Sequence, residues 1–216
     1  MRIVHRLVLV VTLVLVLVPV PALALKRIVL IGDSIQAGTN LVTATNQASA
    51  VLQASGNVIV HNFSRPGARM TDAGFFPGMT HAGQSISLLH GPYGYLYGVV
   101  INLGTNDYGG AADLTTFINA YTALLDSIPS GIAVACMGPT WSTSEGVTNS
   151  LGYTKDYYRY ATYLACASRG FPYIEGKNAI PNSTAYFPDG VHPNDAGHQA
   201  MGAWLAGQLS VLGWLP

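Results

Sequence analysis

The sequence predicts one three-layer α/β/α domain built on a five-stranded parallel sheet. Short Val- and Ile-rich runs alternate with longer segments of helical period. Each run ends in turn-forming residues, and no low-complexity linker or internal repeat interrupts the pattern after residue 25. Apolar runs of four to seven residues are what strands buried on both faces look like, and strands alternating with helices imply βαβ units.

The five runs fall at 26–31, 58–63, 97–103, 132–137 and 171–175. Helices are expected over 46–54, 113–128, 153–168 and 194–212. In the second, Leu114, Phe117, Ile118, Tyr121, Leu124 and Leu125 share one face. Asp113 is placed to cap its start, and Pro129 and Gly131 punctuate its end. In the last, Met201, Trp204, Leu205 and Leu209 should face inward. Right-handed crossovers leave few topologies for such a chain. Ligands of these sheets bind beyond the carboxyl ends of the strands, which directs attention to the residues after Ile31, Phe63, Leu103 and Met137 and to the loop before the last helix.

The 216 residues suit one domain with a sizeable core, half of them being hydrophobic and only 9% charged. Net charge is zero overall. Residues 1–24 hold Arg2 and Arg6 and no acid, so the remainder is slightly negative. A chain with no basic cluster lacks the electrostatic footprint of a nucleic-acid binder. At the N-terminus, Arg2, His5 and Arg6 precede an apolar run over 7–18, then Pro19-Val20-Pro21 and Ala22-Leu23-Ala24. A basic start, a short apolar core and an A-x-A site describe a secretory signal peptide. The competing reading is a membrane anchor, but spanning a bilayer takes about 20 apolar residues and this run stops at Pro19. The expected organisation is therefore a signal over 1–24, cleaved near Ala24, and a catalytic domain over 25–216. The domain would be secreted or periplasmic, with no stable membrane insertion after cleavage.

Two cysteines, Cys136 and Cys166, would then sit in an oxidising compartment. They read equally well as a disulfide or as buried free thiols. The sequons at Asn62 and Asn182 matter only if the source glycosylates.

Four blocks at the expected sheet end carry chemistry: Gly32-Asp33-Ser34-Ile35, Asn62-Phe63-Ser64-Arg65-Pro66-Gly67, Gly104-Thr105-Asn106-Asp107 and Asp189-Gly190-Val191-His192. A serine hydroxyl is a poor nucleophile until a base takes its proton, and histidine suits that task near neutrality. A carboxylate must then orient the imidazole and stabilise its charged form. A tight Asp-Gly-Val-His turn can bring Asp189 beside the ring of His192. Ser34, His192 and Asp189 are thus the candidate nucleophile, base and orienting acid. Each block also has a plainer reading as a strand-end turn or helix cap. Asp33 and Asp107 are read as turn-bracing groups, and His61, His81, His90 and His198 as structural.

The four blocks in this order resemble the SGNH (GDSL-like) hydrolase family, in which they supply Ser, Gly, Asn and His. The matching positions here are Ser34, Gly67, Asn106 and His192, spread across nearly all of residues 25–216. The resemblance implies the flavodoxin-like fold of that family and a serine esterase needing no cofactor and no metal. It also implies an oxyanion hole made by the backbone N–H groups of Ser34 and Gly67 and the side-chain amide of Asn106. The G-x-S-x-G elbow of the α/β-hydrolases is absent.

Two rival classes use some of the same residues. Asp189, His192, Asp195 and His198 recur every third residue and are all conceivable metal ligands, although a helix starting near Asn194 should point the last two away. A non-catalytic carbohydrate-binding module would instead use Phe75, Phe76, Tyr93, Tyr95 and Trp141 as stacking platforms. The stretch 74–98 and Trp141-Ser142-Thr143 are expected to line the acyl and alcohol pockets. Low-charge walls favour short-chain carboxylic esters, with acetylated carbohydrate as the alternative substrate. The partner expected is thus a small-molecule or glycan ester.

Overall fold

The computed structural model describes residues 25–71 and 96–215. Within them, β1 (Arg27–Gly32), β2 (Ile59–Asn62), β3 (Leu96–Asn102), β4 (Ala133–Met137) and β5 (Tyr173–Ile174) form one sheet. Its spatial order is β2-β1-β3-β4-β5, and every pairing is parallel. Successive side chains of a strand point to opposite faces. Val29, Ile31, Val99, Ile101, Val134 and Cys136 accordingly enter one core, and Ile28, Leu30, Val100, Ala135 and Met137 enter the other.

Helices cover both faces. On the first lie α4 (Leu114–Ser127) and α5 (Lys155–Ala167), contributing Phe117, Tyr121, Leu124, Leu125, Tyr158, Ala161 and Ala165. On the second lie α2 (Ala48–Gly56) and α6 (Asp195–Val211), contributing Ala48, Leu52, Met201, Leu205 and Leu209. Leu114, Ile118 and Trp204 are only partly buried but pack against these cores, so both predicted helix faces point as expected. Asp113 caps α4 by accepting from the Thr116 N–H at 3.0 Å, and Asn194 caps α6 by accepting from the Gly197 N–H at 3.0 Å.

Three details differ from the sequence pattern. The fifth strand has two residues rather than five, because the Phe171 N–H closes the end of α5 on the Cys166 carbonyl and Pro172 has no N–H to give. Helix α5 starts at Lys155 because the Asn149 side chain accepts from the N–H groups of Leu151 and Tyr153 and folds that segment into a turn. Two short helices were not legible as periodic segments, α1 (Ser34–Ala37) and α3 (Thr105–Gly109). Both follow directly on a strand and are too short to show an amphipathic repeat.

Cys136 on β4 and Cys166 on α5 form a disulfide, with Cα atoms 6.2 Å apart and a sequence separation of 30. A crosslink of that span stabilises a domain by about 2–4 kcal/mol. It ties α5 to the sheet on the side where the loop after β4 departs. Among the described residues, no helix is long and apolar enough to cross a membrane.

The sheet order places a topological switch between β1 and β3, since the chain leaves β1 toward β2 on one side and reaches β3 on the other. The carboxyl ends of those strands open a crevice there. The residues that follow β1, β2 and β3 are the first three sequence blocks.

Candidate active site

Ser34 is the first residue of α1. Asp33 caps that helix, its carboxylate accepting from the Ile35 N–H at 2.9 Å, and Gly38 ends it in the left-handed region. The hydroxyl is thereby held at a strand-to-helix turn, 8% exposed. As the first helical residue, Ser34 also has a backbone N–H with no partner inside the helix. Asp33 is wholly buried, and burial raises its pKa to about 6 against the opposing pull of the Ile35 N–H and the charge of Lys155.

The fourth block approaches from the start of α6. The His192 Nε2 lies 2.9 Å from the Ser34 Oγ, and its Nδ1 lies 2.7 Å from the Asp189 Oδ2. The Asp189 carboxylate also accepts from the N–H groups of Val191 and His192, at 2.9 and 2.7 Å, and from the Asn40 side-chain amide at 2.9 Å. Burial works against its ionisation, but those donors together hold its pKa well below the ordinary carboxylate range. The turn requires Gly190. Its φ is +85°, and a Cβ there would lie 2.4 Å from the Thr143 hydroxyl. Thr143 in turn binds the Gly190 carbonyl through both its N–H and its hydroxyl, tying the loop after β4 to this turn.

The second and third blocks close on the first. The Arg65 N–H donates to the Gly32 carbonyl at 3.0 Å, which sets the 63–68 loop beside the Ser34 turn. Gly67 has φ +77°, a conformation that favours glycine. Its N–H has no hydrogen-bond partner among the described residues. The Asn106 Nδ2 donates to the Ala68 carbonyl at 3.0 Å, which leaves its second N–H to give. Asp107, fully buried, accepts from the N–H groups of Met70 and Thr71 and from the Thr71 hydroxyl. Burial raises its pKa although those bonds oppose it. Asp33 thus braces its own turn as expected, whereas Asp107 does not brace its own turn and instead holds the Met70–Thr71 segment against the third block.

Of the five groups singled out for the chemistry, Ser34, His192 and Asp189 are joined directly by hydrogen bonds, Asn106 bonds to the loop that carries Gly67, and that loop is tied to the Ser34 turn through the Arg65 N–H. Such an arrangement can activate a hydroxyl and offers backbone and amide donors to a developing oxyanion.

The rival metal set is not brought together. Asp195 spends its carboxylate on the N–H groups of Val42 and Thr43 and on the Asn46 amide. His198 is fully buried in the helix layer, and burial lowers its pKa. Among the described residues, no group of three or more His, Cys, Asp and Glu is placed to hold a metal. Trp141 is half-buried, its ring 5.2 Å from that of Phe187 and packed against the second core. Phe75, Phe76, Tyr93, Tyr95, His81, His90, residues 1–24 and most of the 74–98 stretch lie outside the described residues. His61 stacks on Phe63 in β2, in keeping with a structural role. The Asn62 amide is committed to the Gln36 carbonyl at 2.7 Å.

Two residues escaped sequence reasoning. Asn40 steadies Asp189 from 149 positions away. Lys155, 1% exposed, lies at the start of α5 behind the loop after β4. A lone Asn in a loop and a Lys at a helix start carry no signal of their own.

A five-stranded parallel α/β/α fold with Ser, His and Asp joined at its switch-point crevice defines a serine-hydrolase class of site. The chain belongs to the GDSL-like lipase/acylhydrolase family, whose profile matches residues 30–200, and it is accordingly a carboxylic ester hydrolase. Among curated protein sequences, none matches the chain. Several solved structures share its fold. A carbohydrate acetylesterase from Sinorhizobium meliloti superposes with a TM-score of 0.70 at 15% identity, covering 87% of this chain and 99% of that one. An aryl esterase from M. smegmatis gives 0.70 at 17% identity over the same shares. A lipase/acylhydrolase from Enterococcus faecalis gives 0.69 at 22% identity, covering 89% and 98%.

The oxyanion assignment predicts a specific loss. Asn106→Ala removes one amide donor while the backbone donors remain, so kcat should fall about 10²–10³-fold, the usual effect of deleting one such donor. Steady-state kinetics beside a thermal melt check it. A kcat within a few-fold of the parent, from a folded variant, would remove Asn106 from the hole.

Proposed function

We propose that the protein is an exported serine esterase that hydrolyses short-chain carboxylic esters through an acyl-enzyme on Ser34. The observation that carries this reading is the continuous chain from Asp189 through His192 to the Ser34 hydroxyl, at 2.7 and 2.9 Å. The Ser34 Oγ attacks the ester carbonyl carbon as its proton passes to the His192 Nε2. Asp189 holds the ring with Nδ1–H toward itself and stabilises the imidazolium. The N–H groups of Ser34 and Gly67 and the Asn106 amide receive the negative carbonyl oxygen. Collapse breaks the bond to the alcohol oxygen, which takes the proton from His192. Water then attacks the acyl carbon as its proton passes to the same nitrogen, and collapse breaks the bond to the Ser34 Oγ, which takes that proton back as the carboxylic acid leaves.

Export is supported by the pattern over residues 1–24 and by the Cys136–Cys166 disulfide, a bond that persists in oxidising compartments. Residues 25–216 would be the mature catalytic domain. Deacetylation of acetylated carbohydrate is the second reading, favoured by the fold shared with the S. meliloti carbohydrate acetylesterase.

A p-nitrophenyl ester series from acetate to palmitate tests the first reading, with acetylated xylan as the parallel arm. Activity concentrated in acetate to butyrate supports short-chain esters, and release of acetate from xylan alone supports the second reading. Folded protein inactive on every ester would overturn both.

A further inference from the structure

A cavity of about 240 Å³ opens beside the oxyanion donors, bounded by Thr105, Asn106, Tyr108, Ser142, Ser144 and Lys155, with Val191 on its far side. Among the described residues, its wall contains no carboxylate. The Lys155 Nζ donates to the Ser142 hydroxyl and to the Thr140 carbonyl and sits 5.6 Å from the centre of the Tyr108 ring. Among the described residues, no acid is hydrogen-bonded to it, so within them its charge has no direct counter-ion. That arrangement costs free energy unless something else compensates it.

The serine pair fixes the direction of donation. An ammonium can only donate, so the Ser142 oxygen accepts from Lys155 and its own hydrogen goes to the Ser144 Oγ, 2.9 Å away. The Ser144 hydrogen then has no acceptor among the described residues. The loop that carries both serines is clamped by Arg159, which binds the carbonyls of Pro139 and Thr140 and grips Glu145 through both terminal nitrogens at 2.6 and 2.8 Å. Glu145 is thereby occupied by Arg159 rather than by Lys155. The cavity is thus a rigid, donor-lined pocket with a buried cation behind it. Val191, which lines the pocket, is the chain neighbour of His192, the group that would protonate the departing alcohol, and this neighbourhood is the ground for assigning the pocket to the alcohol part.

We propose that this pocket is an anion subsite that takes a carboxylate on the alcohol part of the ester, with Lys155 supplying the charge and Ser144 the outward donor. The proposal rests on the esterase reading and adds to it a substrate class, acyl esters of hydroxy acids. A carboxylate gains a charge-assisted contact that a neutral group of the same shape does not. Lys155 acts on specificity, as a positioning residue, and takes no part in bond making.

A matched pair of acetate esters, 4-acetoxybenzoate and its carboxamide 4-acetoxybenzamide, provides the test. The wild type should prefer the carboxylate by about tenfold or more in kcat/KM, the scale of a hydrogen bond to a charged group, with the difference mainly in KM. Lys155→Met and Ser144→Ala should each shrink that preference while retaining turnover of the carboxamide. The pH dependence of the preference needs no variant. Burial, and next the charge of Arg159, lower the Lys155 pKa to about 8, opposed by Glu145 from the loop after β4 and by Asp33 from the start of α1. Lys155 therefore loses its charge as pH rises through about 8, and the wild-type ratio should fall there, the shared catalytic titrations cancelling between the two esters. If Lys155→Met does not fold, Ser144→Ala and this ratio decide. Equal or better use of the carboxamide, or a preference indifferent to both variants and to pH, would overturn the subsite and leave the esterase reading intact. Hydrolysis of neither ester, nor of p-nitrophenyl acetate, would overturn the esterase reading and this inference with it.

Discussion

Ser34→Ala should reduce kcat on p-nitrophenyl acetate by about 10⁴–10⁶-fold, the range seen when a serine hydrolase loses its nucleophile. The variant keeps His192, Asp189 and every proposed oxyanion donor, so what would remain is the contribution of binding and of a polarised carbonyl to attack by water. Stability should hardly change. Asp33 still caps α1 through the Ile35 N–H, and among the described residues the deleted hydroxyl bonds only to the His192 ring. Activity and thermal melts on the same preparation separate the two effects. Residual activity within about tenfold of the parent would mean that another group attacks the ester, and the nucleophile assignment would fall.

Asp189→Asn should lower kcat by about 10⁴-fold with a far smaller effect on stability. An amide oxygen can replace Oδ1 as acceptor for the N–H groups of Val191 and His192. The new NH₂ would then face the His192 Nδ1 and the Asn40 amide, where Oδ2 now accepts from both. A donor at that place favours the tautomer with hydrogen on Nε2, which cannot take the Ser34 proton. The carboxylate side chain is 44% exposed, so solvent screens most of its contribution to folding. The sign of that contribution is set by the depressed pKa. It is present above the ordinary carboxylate range and is lost as pH falls through the folded value. Kinetics and urea melts of the variant decide the matter. Comparable damage to both would make Asp189 a folding residue.

The two largest effects thus fall on residues that were visible in the sequence, and the reason is local. Asp189, Gly190, Val191 and His192 are neighbours in the chain, so a single turn with Gly190 at φ +85° suffices to join acid and base. Asp33 and Ser34 share a cap, and Asp113 and Asn194 cap their helices through bonds that span two or three residues. In these cases the physics acts over a few residues and spacing reveals it, although the equally local Asn149 turn that delays the start of α5 was not read. The fifth strand failed that test because its length was set by bonds at the end of α5, beyond the reach of its own apolar pattern.

By itself the sequence determined the order of strands and helices, the parallel sheet that order demands, and the residue types at four strand-end or helix-start blocks. Burial of alternating apolar runs and the short reach of caps and turns are enough to impose these. Tertiary structure alone decided the pairing of Cys136 with Cys166, left open by spacing, because a disulfide depends on which helix lies over which strand. It alone brought Asn40 to Asp189 and Asn106 to Ala68, and it set Lys155 behind Ser142. The first two contacts join segments that leave different strands of the sheet and meet only when the crossovers close at the β1/β3 switch point, and the third folds the loop after β4 back onto the start of α5.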